Sequence, residues 1–421
     1  MTRVVGNDND RACAIFENGM LQCWGGPNAS GQLGRGHTRD ETTPAWVQGI
    51  RDVKKLVLGR SATCAIVGSG ELFCWGNDRL QQDWHGYVTS PARVPGISNV
   101  VDVAVSVWHV CAVDAAGSVF CWGNNQSGQL GLGASAIGTE TKRPTQVPGI
   151  QDAVGVVVSD NTTLVWTRGG DVLRWGMAKD LTQPGAAPDP RKVEGLAGVK
   201  RVRMSHHQAC ALLATSEVRC FGSDTLASLA AGKEHDYGPK VAPVAAKLKL
   251  PPPRNLIFPD GRGISGVVDV APFNHDATAW TEKGEVFSWG SAERGTVGRP
   301  LRTRGYFPPT RIQGLSDIVE VAGSFKHRCA LDKQGNVYCF GDGNSGGFGS
   351  DVQRSSPSGV LVPGLPKIVH IASSSYCTFA LGEDHSLWGW GSLPGNACGI
   401  DGGGERVTKA PIRVPLEPPS P

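Results

Sequence analysis

A thirteen-residue phrase returns eight times along this chain, and its spacing constrains the fold more tightly than any other feature. The copies read CAIFENGMLQCWG from Cys13, CAIVGSGELFCWG from Cys64, CAVDAAGSVFCWG from Cys111 and LVWTRGGDVLRWG from Leu164, then CALLATSEVRCFG from Cys210, TAWTEKGEVFSWG from Thr278, CALDKQGNVYCFG from Cys329 and FALGEDHSLWGWG from Phe379. The aromatic residue before the last Gly falls at 24, 75, 122, 175, 221, 289, 340 and 390, at intervals of 51, 47, 53, 46, 68, 51 and 50 residues. A near-constant period of this length marks supersecondary units that cannot bury their apolar faces alone and so stack on one another.

Within the phrase, apolar residues alternate on both sides of a polar break, which is strand patterning. In CALDKQGNVYCFG, placing Asp332 opposite Asn336 leaves Lys333-Gln334-Gly335 as a three-residue hairpin loop whose last position is left-handed. Six copies put Gly there, at 19, 70, 117, 170, 284 and 335, whereas Ser216 and His385 fill it in the other two and predict mildly strained turns. The same register sets Leu331 opposite Val337, Ala330 opposite Tyr338 and Cys329 opposite Cys339. Both faces of the hairpin are apolar, so both are expected to be covered, as they are between packed blades. A Gly-rich turn follows each phrase, then a Pro-x-x-Val step such as Pro91/Val94 or Pro144/Val147, then a β-branched run such as VVDVAV. No long amphipathic helix is evident. The expected fold is all-β: a closed β-propeller occupying residues 1–421 as a single domain, with eight blades by motif count and seven as the alternative. Val5, eight residues before the Cys position, takes the place that Val103 and Val321 hold. The chain thus opens at its β-branched strand and stops at PIRVPL, where that strand would follow. We expect the N- and C-terminal segments to build one shared sheet, which closes the ring and removes its edges.

Trp122-Gly123-Asn124-Asn125 with Gly128-Gln129-Leu130-Gly131-Leu132-Gly133, followed by Pro144/Val147 and Gly-Ile, resembles the regulator-of-chromosome-condensation (RCC1-like) repeat family, in a Cys-rich form of bacterial type. The resemblance runs over essentially the whole chain. His109 and His327, two residues before the Cys position, match the family's usual His, and the second, fourth and fifth copies have lost the GQLG segment. The family usually has seven blades, against eight motifs here. It includes exchange factors, a secreted β-lactamase inhibitor and many bacterial members that look like adaptors, which implies protein binding. Its eukaryotic guanine-nucleotide exchange factor meets its GTPase through a blade insertion, but in a different repeat, so no residue carries over.

Composition narrows the classes. The formal net charge is +3 with no basic arm, so no nucleic-acid partner is expected, and no run approaches the apolar length of a transmembrane segment. Ten of the twelve cysteines fall into pairs ten residues apart: Cys13/Cys23, Cys64/Cys74, Cys111/Cys121, Cys210/Cys220 and Cys329/Cys339. The register places each pair directly opposite across its hairpin, where a bridge fits at a non-hydrogen-bonded site. The other three hairpins have lost both members together, as Leu164/Arg174, Thr278/Ser288 and Phe379/Gly389. Bridged pairs imply an oxidising compartment, hence a secreted or periplasmic location; packed thiols are the alternative. MTRVVGNDND has no signal-peptide core, so either a leader lies outside this sequence or the protein is cytoplasmic with reduced thiols. Cys377 and Cys398 are left over, and nothing in the sequence requires them to pair.

Candidate sites are few. The Gly-rich turns lack the Lys-Ser/Thr of a phosphate loop and read as turns. Six Trp are the repeat aromatic, and Trp166, Trp280 and Trp388 replace other packed motif positions. The degraded turn NDRLQQDWHGY carries Trp84, His85 and Tyr87 where the repeat demands no aromatic, a candidate interface anchor against the plain alternative of a blade cover. The longest interval holds an inserted loop at 232–266, with Lys247, Lys249, Arg254 and Phe258, either a binding element or a solvated segment. His206, His207, His235 and His275 have no metal-ligand spacing, and no catalytic motif is found, so neither metal nor cofactor is expected. The expected function is a monomeric protein-interaction scaffold presenting loops of one propeller face. Glycan or peptidoglycan binding, guanine-nucleotide exchange on a small GTPase, and an enzyme using the central pocket on a peptide or polysaccharide are the alternatives.

Overall fold

The computed structural model describes all residues except 8, 78–86, 177–186, 206–207, 223–253, 256–263, 274, 304, 324–325, 345, 351–354, 393–397, 401–406 and 418–421. Its strands form eight four-stranded antiparallel sheets, each built in chain order from one repeat. These are the blades, at 3–46, 53–93, 100–146, 153–192, 199–255, 267–311, 318–361 and 368–413. The hairpin register is the one read from the sequence: Leu331 faces Val337, Ala330 faces Tyr338 and Cys329 faces Cys339. The six hairpin Gly have positive φ, and Ser216 and His385 adopt the same left-handed conformation at φ 61° and 63°.

First strands of successive blades touch. Arg3–Gly6 meets Val53–Leu58, which meets Val100–Val105, and Ile368–Ser373 meets Arg3–Gly6 in turn. First strands therefore surround the axis and fourth strands form the rim. Eight apolar clusters lie between consecutive blades, one at each junction.

The termini close the ring differently from expectation. No sheet is shared, because the C-terminal strand Val407–Arg413 completes the last blade while Arg3–Gly6 begins the first. A repeat that is one contiguous sheet leaves both ends complete, and they meet as neighbouring blades. Met1, Val4 and Trp24 pack with Cys377 and Phe379, and the Trp24 and Phe379 rings stand edge to face at 5.5 Å. His370 Nε2 lies 2.9 Å from the Val4 carbonyl, and the Gln22 side chain holds the Glu417 backbone at 2.7 and 3.1 Å. Val4, not Val5, holds the place of Val103 and Val321: it faces Ala14 as they face Ala112 and Ala330. The loop from first to second strand is one residue longer in the first blade, with five residues between the paired Gly6 and Ala12 against four between Val105 and Val110 or between Gly323 and Arg328, which shifts the count by one.

Asp332 N–H donates to the Asn336 carbonyl at 3.0 Å, so alternation makes 329/339 a non-hydrogen-bonded pair, the closer of the two kinds. The hairpin cysteines meet accordingly. Cys13 stands at disulfide distance from Cys23, Cys64 from Cys74, Cys210 from Cys220 and Cys329 from Cys339, each with Cα atoms 4.1 Å apart. Cys111 and Cys121 do the same at 4.2 Å. Cys377 and Cys398, which the sequence left unassigned, also stand at disulfide distance, with Cα atoms 5.4 Å apart. At the corresponding site of the sixth blade Thr278 faces Ser288, their hydroxyl oxygens 2.8 Å apart and buried. The double substitution T278C/S288C should therefore form an additional bridge, seen by intact mass as two alkylation sites that open only on reduction. It should stabilise by about 2–3 kcal/mol, as closure of a short loop in the unfolded chain allows. Two free thiols at these positions, or no rise in Tm on oxidation, would contradict the shared geometry.

Candidate interaction face

Antiparallel blades give the ring two unlike faces. Hairpins between second and third strands lie on one. Loops from first to second strand and the Gly-rich connections from third to fourth strand lie on the other, here the loop face. In the first and third blades the motif Asn organises that connection from within. Buried Asn125 accepts the Leu130 N–H at 2.9 Å and donates to the Ala136 carbonyl at 2.6 Å. Buried Asn28 accepts the Leu33 N–H at 2.8 Å and donates to the carbonyls of His37 and Arg39.

Each such turn receives the next blade. The Gln32 carbonyl accepts the Trp75 indole N–H and the Thr63 hydroxyl, both at 2.8 Å. The Gln129 carbonyl likewise accepts Trp175 and Thr163, both at 2.9 Å. A Cβ on Gly131, at φ +71°, would sit 2.8 Å from the Trp175 indole nitrogen, so this position tolerates only Gly.

Side chains two residues before the Cys position latch neighbouring blades beneath the loop face. His109 places Nε2 at 2.8 Å from the Thr163 hydroxyl and Nδ1 at 2.9 Å from Ser106. Because Thr163 donates onward to Gln129, Nε2 carries the proton and Nδ1 accepts. His327 makes the same contact with Thr378 at 2.8 Å. In the sixth blade this position is Asp276, whose carboxylate binds both Thr296 and Arg328, the residue standing where Thr163 and Thr378 stand. The Arg328 guanidinium also lies 3.3 Å over the Phe273 ring. A His–Thr contact is thus replaced by a buried Asp–Arg pair. Arg11 fills the position in the first blade, donating to the carbonyls of Gly59 and Arg60 at 2.5 and 2.9 Å. Burial lowers its pKa to about 10.

The cysteine pairs belong to the same buried layer. Cys13 and Cys23, Cys64 and Cys74, Cys111 and Cys121, Cys210 and Cys220, and Cys329 and Cys339 are all buried in the clusters between blades. None of these ten reaches the loop face, so they brace the hairpins and offer no contact to a partner.

Above this floor stand the exposed groups. Tyr87 is 54% exposed at the end of the second blade's connection, where Trp84 and His85 lie outside the described residues. Trp108 is 43% exposed in the third blade's first loop and is not among the anchors expected from the sequence. A signal for it exists: the other copies carry Asp10, Ser61, Asn161, His207, His275, Lys326 and Tyr376 at that position, and an apolar indole among them is anomalous. Lys326 sits 5.3 Å over the Tyr376 ring in the corresponding loops of the last two blades. Between the sixth and seventh blades, Glu293, Arg294, Leu301, Arg302, Asp342 and Asn344 line a cleft of about 450 Å³. Trp280 is buried, and Trp166 and Trp388 are partly buried against the core, as packing residues should be.

The long interval in the fifth repeat is divided. The short strand Arg254–Asn255 pairs with Val218–Gly222 and completes that blade, so Lys247 and Lys249 precede the fourth strand and Phe258 follows it. Those three, with His206, His207 and His235, lie outside the described residues, and Arg254 is described by its backbone pairing with Cys220.

The family model of the regulator of chromosome condensation (RCC1) repeat matches residues 116–166, 283–331 and 334–381, and a second model of the same repeat matches 100–129 and 318–346. Residues 100–166 and 283–381 are RCC1 repeats. The matches fall on the third, fourth and sixth to eighth blades, leaving outside them the first blade and the second and fifth, whose third-to-fourth connections depart most from the repeat. Among curated relatives, the human E3 ubiquitin-protein ligase HERC2 is 30% identical over 277 residues, 61% of this chain but 5% of that protein. The mouse regulator of chromosome condensation is 30% identical over 145 residues, 33% of this chain and 34% of the relative. The chain thus aligns with a minor part of each. Among solved structures, yeast RCC1 (Prp20), bound to Kap60, superposes with a TM-score of 0.60 at 19% identity, covering 94% of this chain and 83% of that one. Human WBSCR16 gives 0.58 at 17% identity, covering 94% of both. At these identities the likeness establishes the propeller fold.

The latch histidines give the ring a defined acid sensitivity. Burial lowers the pKa of both His109 and His327 to about 3, helped at His327 by Arg328 and Lys326. Unfolded histidines titrate near 6.5, so below that pH the unfolded state takes up protons the folded state refuses. Their contribution is full above about pH 6.5 and falls as the pH drops towards 3. Between pH 7 and 5 each should cost about 2 kcal/mol. Thermal melts should show a larger fall in Tm over this range for the parent than for H109Q or H109Q/H327Q. Equal pH slopes would contradict the latch.

Proposed function

We propose that this chain is a protein-interaction module that receives a partner protein on its loop face, in an extracytoplasmic compartment. The observation that carries the reading is the exposed Trp108, standing on the loop face where no other repeat carries an indole. Tyr87 is exposed on the same face one blade away, and the two connections that depart most from the repeat both join third to fourth strands. Large, rigid aromatic side chains on a fixed floor lose little entropy on docking, which is why such residues dominate interface energetics. The latches, the tryptophan seats and the hairpins supply that fixed floor. All twelve cysteines stand in pairs at disulfide distance, which supports an oxidising compartment and weighs against exchange activity on a cytoplasmic GTPase. Yeast RCC1, which shares the fold, is solved with a bound protein, Kap60.

The test is capture of a partner from the extracytoplasmic fraction of the native cell by immobilised protein, followed by affinity measurement with the purified partner. W108A should weaken binding at least about tenfold, as removal of an interface anchor does, and Y87A by a smaller factor. Leu361→Ser, on the rim at 52% exposure, should leave it unchanged. Equal effects of all three variants would sink the reading, and displacement by soluble glycans would convert it into sugar recognition.

A further inference from the structure

The first strands around the axis hold the charge excess of the molecule. They carry Arg3, Lys54, Lys55, Lys200, Arg201 and Arg203 against Asp102, Asp269 and Glu320, a net of +3 with His neutral. The whole chain is also +3, so everything outside the axial wall is balanced.

Acids and bases in this wall are disposed differently. Asp102 accepts the Val156 N–H of the next blade at 3.0 Å, and Glu320 accepts the Ile371 N–H at 3.1 Å. Asp269 accepts the Val270 N–H at 2.9 Å. The innermost strand of each sheet has one unpaired edge, and these carboxylates cover it. Asp102 and Asp269 are consequently buried. The bases stay in water: the side chains of Arg201 and Arg203 are each 48% exposed, and both lean on the same Asp269 oxygen, at 2.7 and 2.9 Å. Two guanidiniums sharing one carboxylate leave a positive charge and most of their N–H donors unspent.

Beside this charge lies apolar surface. The bulged residue of the first strand is Val101, Val154, Val268, Val319 or Val369 in five blades, each 39–51% exposed. A bulge leaves its residue unpaired and re-aims the side chain, and five valines held at one register position make a collar at the hairpin-face end of the axial wall. We propose that this hairpin-face mouth of the axis binds an extended acidic peptide segment, with carboxylates on Arg201, Arg203 and Lys200 and apolar side chains on the valine collar. The valines favour a peptide over a polyphosphate or sulfated glycan, which would leave them unused. This site is on the opposite face from Trp108 and stands independently of the proposed loop-face partner.

The probe is a fluorescein-labelled twelve-residue peptide alternating Glu and Val, titrated into the full chain and read by anisotropy. Saturable binding is expected, weakening about tenfold from 0.05 to 0.3 M salt because the contacts are exposed ion pairs. R203Q, which leaves Arg201 on Asp269, and K200E should each weaken it at least about threefold. V268S/V319S should do the same, with Tm unchanged in all three variants, while W108A should have no effect. The proposal is overturned if no saturable binding occurs, if loss follows W108A instead, or if V268S/V319S has no effect and polyphosphate competes as well as unlabelled peptide.

Discussion

The indole N–H of a tryptophan must find an acceptor when its ring is buried, or the blade pays about 1–3 kcal/mol for an orphaned donor. Here the preceding blade supplies the acceptor, a backbone carbonyl at Gln32, Gln129 or Gly347, aimed at the ring of Trp75, Trp175 or Trp390. That carbonyl can point so only because its turn is tight, with left-handed Gly on either side and, at the first two sites, a buried Asn inside. The motif Trp, the turn Gly and the Asn are therefore one device distributed over two blades. At these three junctions it fixes the spacing between sheets, whereas Trp24 and Trp289 are buried at two others with no acceptor for their indole N–H among the described residues.

Much of this was legible because it is local. A three-residue hairpin with Gly in the left-handed position determines every cross-strand partner, so Cys23 opposite Cys13, Cys74 opposite Cys64, Cys121 opposite Cys111 and the Leu331–Val337 register could be read directly. What was not legible depends on neighbours in space. The extra residue in the first blade's first loop, which puts Val4 and not Val5 in the place of Val103, is a property of pairing and leaves no composition signal. The contiguous blade, which rules out a shared sheet between the termini, depends on where the Pro-x-x-Val strand pairs. The exchange of His–Thr for Asp276–Arg328 joins positions 52 residues apart and shows only once blade order is known. Trp108 was visible as an exception to the repeat, but its exposure was not.

Repeats of this kind separate stability from recognition. The second and third strands are mostly buried and vary within narrow chemical limits, a bridge giving way to paired hydroxyls or an ion pair to a His–Thr contact. The loops above them vary freely because the floor does not move. Two surfaces of opposite character result. One is the loop face, with isolated aromatics above buried latches; the other is the axial wall, where carboxylates cover strand edges and leave guanidiniums in water.

The seating of the motif tryptophans is tested most directly by indole hydrogen exchange in protein labelled with 15N at tryptophan. Trp75, Trp175 and Trp390 should exchange their indole protons only on opening of a blade junction, with protection of several orders of magnitude over the exposed Trp108. Exchange of those three at the rate of Trp108 would mean that the carbonyl seats do not hold the blades together.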